Sequence, residues 1–173
     1  MEDFIQGIQK RGGVAERIYI RELPLQPCKG CGKCLQDKKC VIRDPMDWLG
    51  EKIRNTPLFA LATPVYFLSF PSPLKTFLDR LQPYWAMKEI HGENIREKEG
   101  KGIFICTAAS REDKIFECIE KQARILFRTL EYRMMAKHLI GGMEGKGEIR
   151  NFPKLREKVR KSGEKLILST ETG

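Results

Sequence analysis

Short apolar runs alternate with amphipathic stretches along this chain, the pattern of a parallel sheet whose crossovers are helices. Phe4, Ile5 and Ile8 recur at helical spacing within residues 1–11, and Gly12-Gly13 stops the repeat. Residues 17–23 then alternate through Ile18 and Ile20 as a partly buried strand would. Asp44-Pro45 predicts a helix start, a side-chain acceptor followed by a residue without the superfluous N–H, with Met46, Leu49 and Ile53 as the inward stripe. Residues 58–63 are nearly all apolar and predict a strand covered on both faces. Ser72-Pro73 opens a further helix with Leu74, Phe77, Leu78 and Leu81 inward, and Pro83 predicts its end.

Residues 82–101 are polar and without period, which predicts a long connection. Residues 102–107 read as the next buried strand, expected beside 58–63 and parallel to it. Ser110-Arg111-Glu112-Asp113 resembles a capping box, followed by Ile115, Ile119, Ala123, Leu126 and Leu130 on one helical face. The helices built around Phe77 and Leu126 are expected to cover the sheet's faces. Residues 134–140 are the last strand candidate, and Asn151-Phe152-Pro153 opens a terminal helix with Leu155, Val159 and Leu166 inward.

At 173 residues the chain is one domain's worth, so residues 1–173 are expected to form a single α/β unit. The most apolar stretch, 58–74, is interrupted by Pro64, Pro71 and Pro73, which argues against a membrane span. The first residues carry neither the basic flank nor the apolar core of a secretory signal, so a cytoplasmic location is expected, where thiols stay reduced. The formal charge of +9 favours anionic partners, but 32 basic residues are interspersed with 23 acidic ones and no nucleic-acid motif accompanies them. Nucleic acid is therefore not the expected partner.

Cysteine spacing carries the strongest chemical signal. Cys28, Cys31, Cys34 and Cys40 follow the pattern C-x2-C-x2-C-x5-C in a cysteine-rich loop at 28–40. Thiolates three residues apart can reach different corners of one compact inorganic core, with Gly30 and Gly32 letting the backbone wrap it. The run resembles that of ferredoxins for a [4Fe–4S] cluster, though the last spacing is longer and no proline follows Cys40. Structural zinc is the main competitor and unligated thiols the third reading. Lys29, Lys33, Lys38 and Lys39 would help hold thiolates, or simply face solvent. Cys106 and Cys118 read as packing residues, and His91 and His138 lack a partner motif.

The order Leu23-Pro24-Leu25-Gln26-Pro27-Cys28-Lys29-Gly30-Cys31-Gly32-Lys33-Cys34, then Cys40-Val41-Ile42-Arg43-Asp44-Pro45-Met46, resembles the iron–sulfur flavoproteins within the NAD(P)H-dependent FMN reductase group. Thr63-Pro64-Val65-Tyr66-Phe67 and Leu74-Lys75-Thr76-Phe77-Leu78-Asp79-Arg80 are similar to that family's second signature, and Gly145-Lys146-Gly147-Glu148-Ile149 fits as well. The resemblance implies a flavodoxin-like doubly wound sheet, five parallel strands in the order 2-1-3-4-5, with FMN at the strands' carboxyl ends. It places Pro64, Val65, Tyr66 and Phe67 beside the flavin ring, with Thr107 and Ala108 approaching from the next strand. Without it, Tyr66 and Phe67 read as packing at a strand end.

The resemblance begins inside what would be the helix after the first strand. The central strand and the loop for the FMN phosphate are thus expected to be absent from this chain, and FMN to bind it weakly. Residues 17–23 would then lie one empty lane away from 58–63 or pair with it directly. The implied function is a redox protein transferring electrons through a [4Fe–4S] cluster and FMN, with ferredoxin or NAD(P)H as donor and a homo-oligomeric assembly. A flavin-free iron–sulfur carrier and a structural zinc protein are the alternatives.

Overall fold

The computed structural model describes the backbone of residues 1–171 and the side chains of residues 1–168. Its elements are α1 (Glu2–Lys10), α2 (Cys34–Asp37), α3 (Met46–Asn55), β1 (Leu58–Pro64), α4 (Ser72–Asp79), α5 (Gln82–Glu89), β2 (Gly100–Thr107), α6 (Glu117–Thr129), β3 (Tyr132–Ile140) and α7 (Pro153–Glu171). The strands form one parallel sheet in the order β1-β2-β3, with Leu58 opposite Lys101 and Gly100 opposite Tyr132. This is the order expected for the last three strands of the flavodoxin-like arrangement.

Alternation along β2 sorts the core into two. Phe104 and Cys106, with Leu61 of β1, meet Leu49 of α3, Leu74 and Phe77 of α4, and Ile119 and Leu126 of α6. Ile103 and Ile105, with Ile140 of β3, meet Phe4 and Ile8 of α1 and Val159 and Leu166 of α7. The apolar periodicity thus did its work, but the helices carrying Phe77 and Leu126 cover the same face, and the other belongs to α1 and α7. Those two cross closely: a Cβ on Gly7 would stand 2.0 Å from the Arg160 carbonyl oxygen.

Five local expectations are corrected. Residues 17–23 are not a strand; a 3₁₀ turn spans Ile20–Glu22, with the Glu22 N–H donating to the Tyr19 carbonyl at 2.9 Å. Among the described residues no strand pairs with the outer edge of β1, and a segment without a ladder partner satisfies its backbone by turning instead. Ile18, Ile20, Leu23 and Leu25 still pack against the larger core. β1 is accordingly an edge strand with Ala62 and Pro64 exposed, rather than covered on both faces.

Pro83 does not end a helix. It lies in the first turn of α5, where its missing N–H costs nothing, so the supposed connection begins with eight helical residues. The Ser110 hydroxyl accepts the Glu112 N–H at 3.1 Å, a local turn, and α6 starts only at Glu117. Cys106 is fully buried as expected, whereas Cys118 is exposed. Among the described residues no helix is long and apolar enough to cross a membrane.

Candidate functional site

The cysteine loop is shaped by glycines at its tip and by charge at its base. Gly30 and Gly32 have φ of 66° and 72°, a region that side chains resist, and they turn the chain between successive cysteines. The Gly30 N–H donates to Cys28 Sγ at 3.5 Å. α2 follows for a single turn from Cys34, and Lys38 in a left-handed conformation ends it by donating its N–H to the Cys34 carbonyl at 3.1 Å.

Cys28, Cys31, Cys34 and Cys40 all line one cavity of about 20 Å³, together with Asp79 of α4, Pro83 of α5 and Arg80 between the two helices. Cys28 and Cys31 are exposed, Cys34 and Cys40 half-buried. Burial pushes the Cys34 thiol above its ordinary pKa, and Cys40, Cys28 and Cys31 push it the same way. Four thiolates share such a space only with compensating positive charge. Among the described residues no three His, Cys, Asp or Glu side chains are grouped closely enough to hold a single metal ion.

Below the cavity lies an ion pair with nearly no solvent contact: Arg80 and Asp44 side chains are 1% and 3% exposed. Arg80 Nη1 donates to Asp44 Oδ2 at 2.6 Å and to the Gln26 carbonyl at 2.7 Å; Nη2 donates to Asp44 Oδ1 at 3.1 Å and to the Ile42 carbonyl at 3.3 Å. Asp44 in turn accepts the N–H groups of Gln26 and Met46 at 2.9 and 3.0 Å. The predicted acceptor thus lies one residue ahead of the N-cap, Pro45, where it takes the N–H of the first residue of α3, and its carboxylate also staples the chain just before Cys28 to the chain just after Cys40. Burial alone would raise the Asp44 pKa, yet Arg80 and the two N–H groups hold it below the ordinary carboxylate range. Burial likewise works against the Arg80 charge, and Asp44 and Cys40 more than offset it.

Arg80 was visible beforehand only as the end of a signature run. One signal could have marked it: three residues beyond Phe77, it falls on the inward side of α4, where a charge needs a partner. The lysines near the cysteines differ from it. Lys29, Lys33 and Lys39 are exposed, and Lys38 pairs with Glu93.

Pro64, Val65, Tyr66, Phe67, Thr107 and Ala108 gather at the carboxyl ends of β1 and β2. The Val65 N–H donates to the Thr107 carbonyl at 2.8 Å. Ala108 is buried, its N–H given to the Ile140 carbonyl and its carbonyl taken by the Met143 N–H, both at 2.9 Å, so its backbone is committed to the fold. Tyr66 and Ser69 exchange backbone hydrogen bonds of 3.0 and 2.9 Å around Phe67 and Leu68, whose φ values are 48° and 59°. Two bulky residues in the left-handed region are strained by about 1–2 kcal/mol each. Phe67 is wholly exposed, Tyr66 and Leu68 largely so, which excludes simple packing at a strand end within this chain.

A larger cavity, about 570 Å³, lies at the other end of the sheet beside Arg96, Arg128, Glu131, Tyr132 and Arg133. Its guanidinium groups are already engaged: Arg96 with the Ile53 and Thr56 carbonyls, Arg128 with Glu89, and Arg133 with Glu99. Cavity size and chemistry thus part company, and the thiols mark the site.

Residues 2–141 match the family described as NADPH-dependent FMN reductase. An iron–sulfur flavoprotein of Archaeoglobus fulgidus is 30% identical over 111 residues, 64% of this chain and 48% of that protein. One from Methanosarcina thermophila is 38% identical over 72 residues, 42% of this chain and 38% of its own length. The chain thus spans less than half the length of either relative. The solved structure of an NAD(P)H:quinone oxidoreductase from Methanothermobacter marburgensis superposes with a TM-score of 0.63 at 20% identity, covering 95% of this chain and 85% of that one. At that identity the likeness is one of fold.

Proposed function

This chain belongs to the NADPH-dependent FMN reductase family, and we propose that it is a redox protein of the iron–sulfur flavoprotein type. Cys28, Cys31, Cys34 and Cys40 hold a [4Fe–4S] cluster, and Pro64, Val65, Tyr66, Phe67, Thr107 and Ala108 meet FMN. The observation that carries this reading is the convergence of four thiols on one small cavity. A single zinc ion, with Zn–S near 2.3 Å, would draw its thiolates to within about 4 Å of one another. A cubane, in which each thiolate meets a different iron, would take a wider spacing.

When bound, the cluster supplies one-electron transfer and FMN couples it to two-electron carriers. The chain's own groups position and shield. The Gly30 N–H donates a hydrogen bond to the Cys28 sulfur and so helps to orient it. Tyr66, Phe67 and Leu68 present apolar surface that would lie against a ring and exclude water from it. NAD(P)H or ferredoxin is the proposed donor. The exposed turn at Phe67 supports a homo-oligomer in which a second subunit covers the flavin edge.

Metal, acid-labile sulfide and flavin analysis of protein purified without oxygen tests the proposal. Iron and sulfide in equal amounts with bound FMN is the expected result, and Cys34→Ala should abolish the broad visible absorption of the cluster. Zinc without sulfide would overturn the cluster, and iron and sulfide without flavin would leave a flavin-free electron carrier.

A further inference from the structure

A guanidinium has five N–H donors, and four of those on Arg80 are used: two to Asp44, one to Gln26 and one to Ile42. The fifth, on Nε, is buried and has no partner. An orphaned donor on a buried cation is costly, and such groups normally find an acceptor. Arg80 lines the cavity that holds the four thiols, whereas Asp44 does not. The cation is therefore nearer the sulfurs than its carboxylate partner is. Unlike the exposed lysines around the loop, it is shielded from solvent and salt, so the field of the pair it forms with Asp44 is little attenuated by either.

We propose that Arg80 is the positioning residue of the cysteine site: it closes the loop at both ends and offers its remaining N–H and its charge to the cavity of the four thiols, thereby setting the reduction potential of what the cysteines hold. This rests on those cysteines holding an iron–sulfur cluster. Reduction adds negative charge at the site, so a neighbouring cation favours the reduced form and a neighbouring anion opposes it. Arg80 and Asp44 should then move the potential in opposite directions, though both belong to the same staple. A merely structural role would move both variants alike.

The test is a redox titration, followed by visible absorption, of the full chain purified without oxygen, with iron and sulfide measured on each sample. Arg80→Gln should lower the ratio of reduced to oxidised cluster at a fixed potential about tenfold, which for one electron is about 59 mV. Asp44→Asn should raise that ratio, by a smaller factor. Arg80→Lys, which keeps the charge, should stay closer to the parent than Arg80→Gln. If Arg80→Gln fails to fold, the neutral pair Asp44→Asn with Arg80→Gln removes the unpaired carboxylate and should still lower the ratio. Shifts of one sign in the Arg80 and Asp44 variants, or none, in protein carrying normal iron and sulfide would overturn the role of Arg80 and leave the cluster standing. A parent protein without iron and sulfide would overturn the cluster, and this inference with it.

Discussion

The cysteine loop and the aromatic turn after β1 adjoin opposite ends of α4, a helix of eight residues and so about 12 Å long, yet they are built on opposite plans. The loop leaves its tip in solvent and buries its base, where five hydrogen bonds, two of them within the Arg80–Asp44 ion pair, join residues far apart in the chain. The turn is closed by two backbone hydrogen bonds of its own, holds two bulky residues in a left-handed conformation and presents their side chains to solvent. Reactive side chains can therefore be exposed and still be fixed, provided the backbone that carries them is anchored below. The side-chain anchor of the turn is light, the Ser69 hydroxyl against Gln122 at 3.2 Å, and its exposed surface is suited to being covered by something else.

The largest effect should come from breaking the buried base. Asp44→Ala leaves the Arg80 charge without its partner and should cost about 3–5 kcal/mol in denaturant unfolding. A loss below about 1 kcal/mol would mean the base is wetter than it looks. The same pair predicts an acid limb. The folded Asp44 pKa is depressed, so its contribution is complete above the ordinary carboxylate value near pH 4 and disappears as pH falls through the folded value. The acid limb should be absent from the Asp44→Ala variant.

A smaller loss is expected at the loop's tip. Gly32→Ala places a side chain at a φ of 72° and should cost about 1–2 kcal/mol, with no clash, since nothing lies within 4 Å of the added Cβ. Iron content per chain should fall with it, while a variant of equal stability and iron content would show that the tip is free to adjust. The smallest effect belongs to the turn. Phe67→Gly relieves left-handed strain and should leave stability unchanged or raised by up to about 1 kcal/mol, partly offset by the freedom of glycine in the unfolded chain. A loss of stability that grows with protein concentration would instead identify Phe67 as buried between copies.

Much of this was legible in the residues themselves. The strands at Leu58–Pro64, Gly100–Thr107 and Tyr132–Ile140 follow from apolar runs, and the inward faces of α3, α4 and α6 from helical spacing. Both patterns are properties of a few neighbouring residues, set by backbone geometry alone. The gathering of the four cysteines is local in the same sense, since thirteen residues with two glycines have few ways to spread.

What the sequence could not decide depended on partners distant along the chain. Residues 17–23 have the alternation of a strand, but a strand is completed by its neighbour, and the outer edge of β1 has none among the described residues. The face to which each helix is assigned is settled by how crossovers pack, which is why Phe77 and Leu126 share one side. Arg80 lies 36 residues from Asp44 and 54 from Gln26, and nothing in its immediate sequence says that it will close a loop. Local periodicity specified the elements and the thiols. Only the packed fold, by burying a cation where its hydrogen bonds must be met, decided what holds those thiols in place.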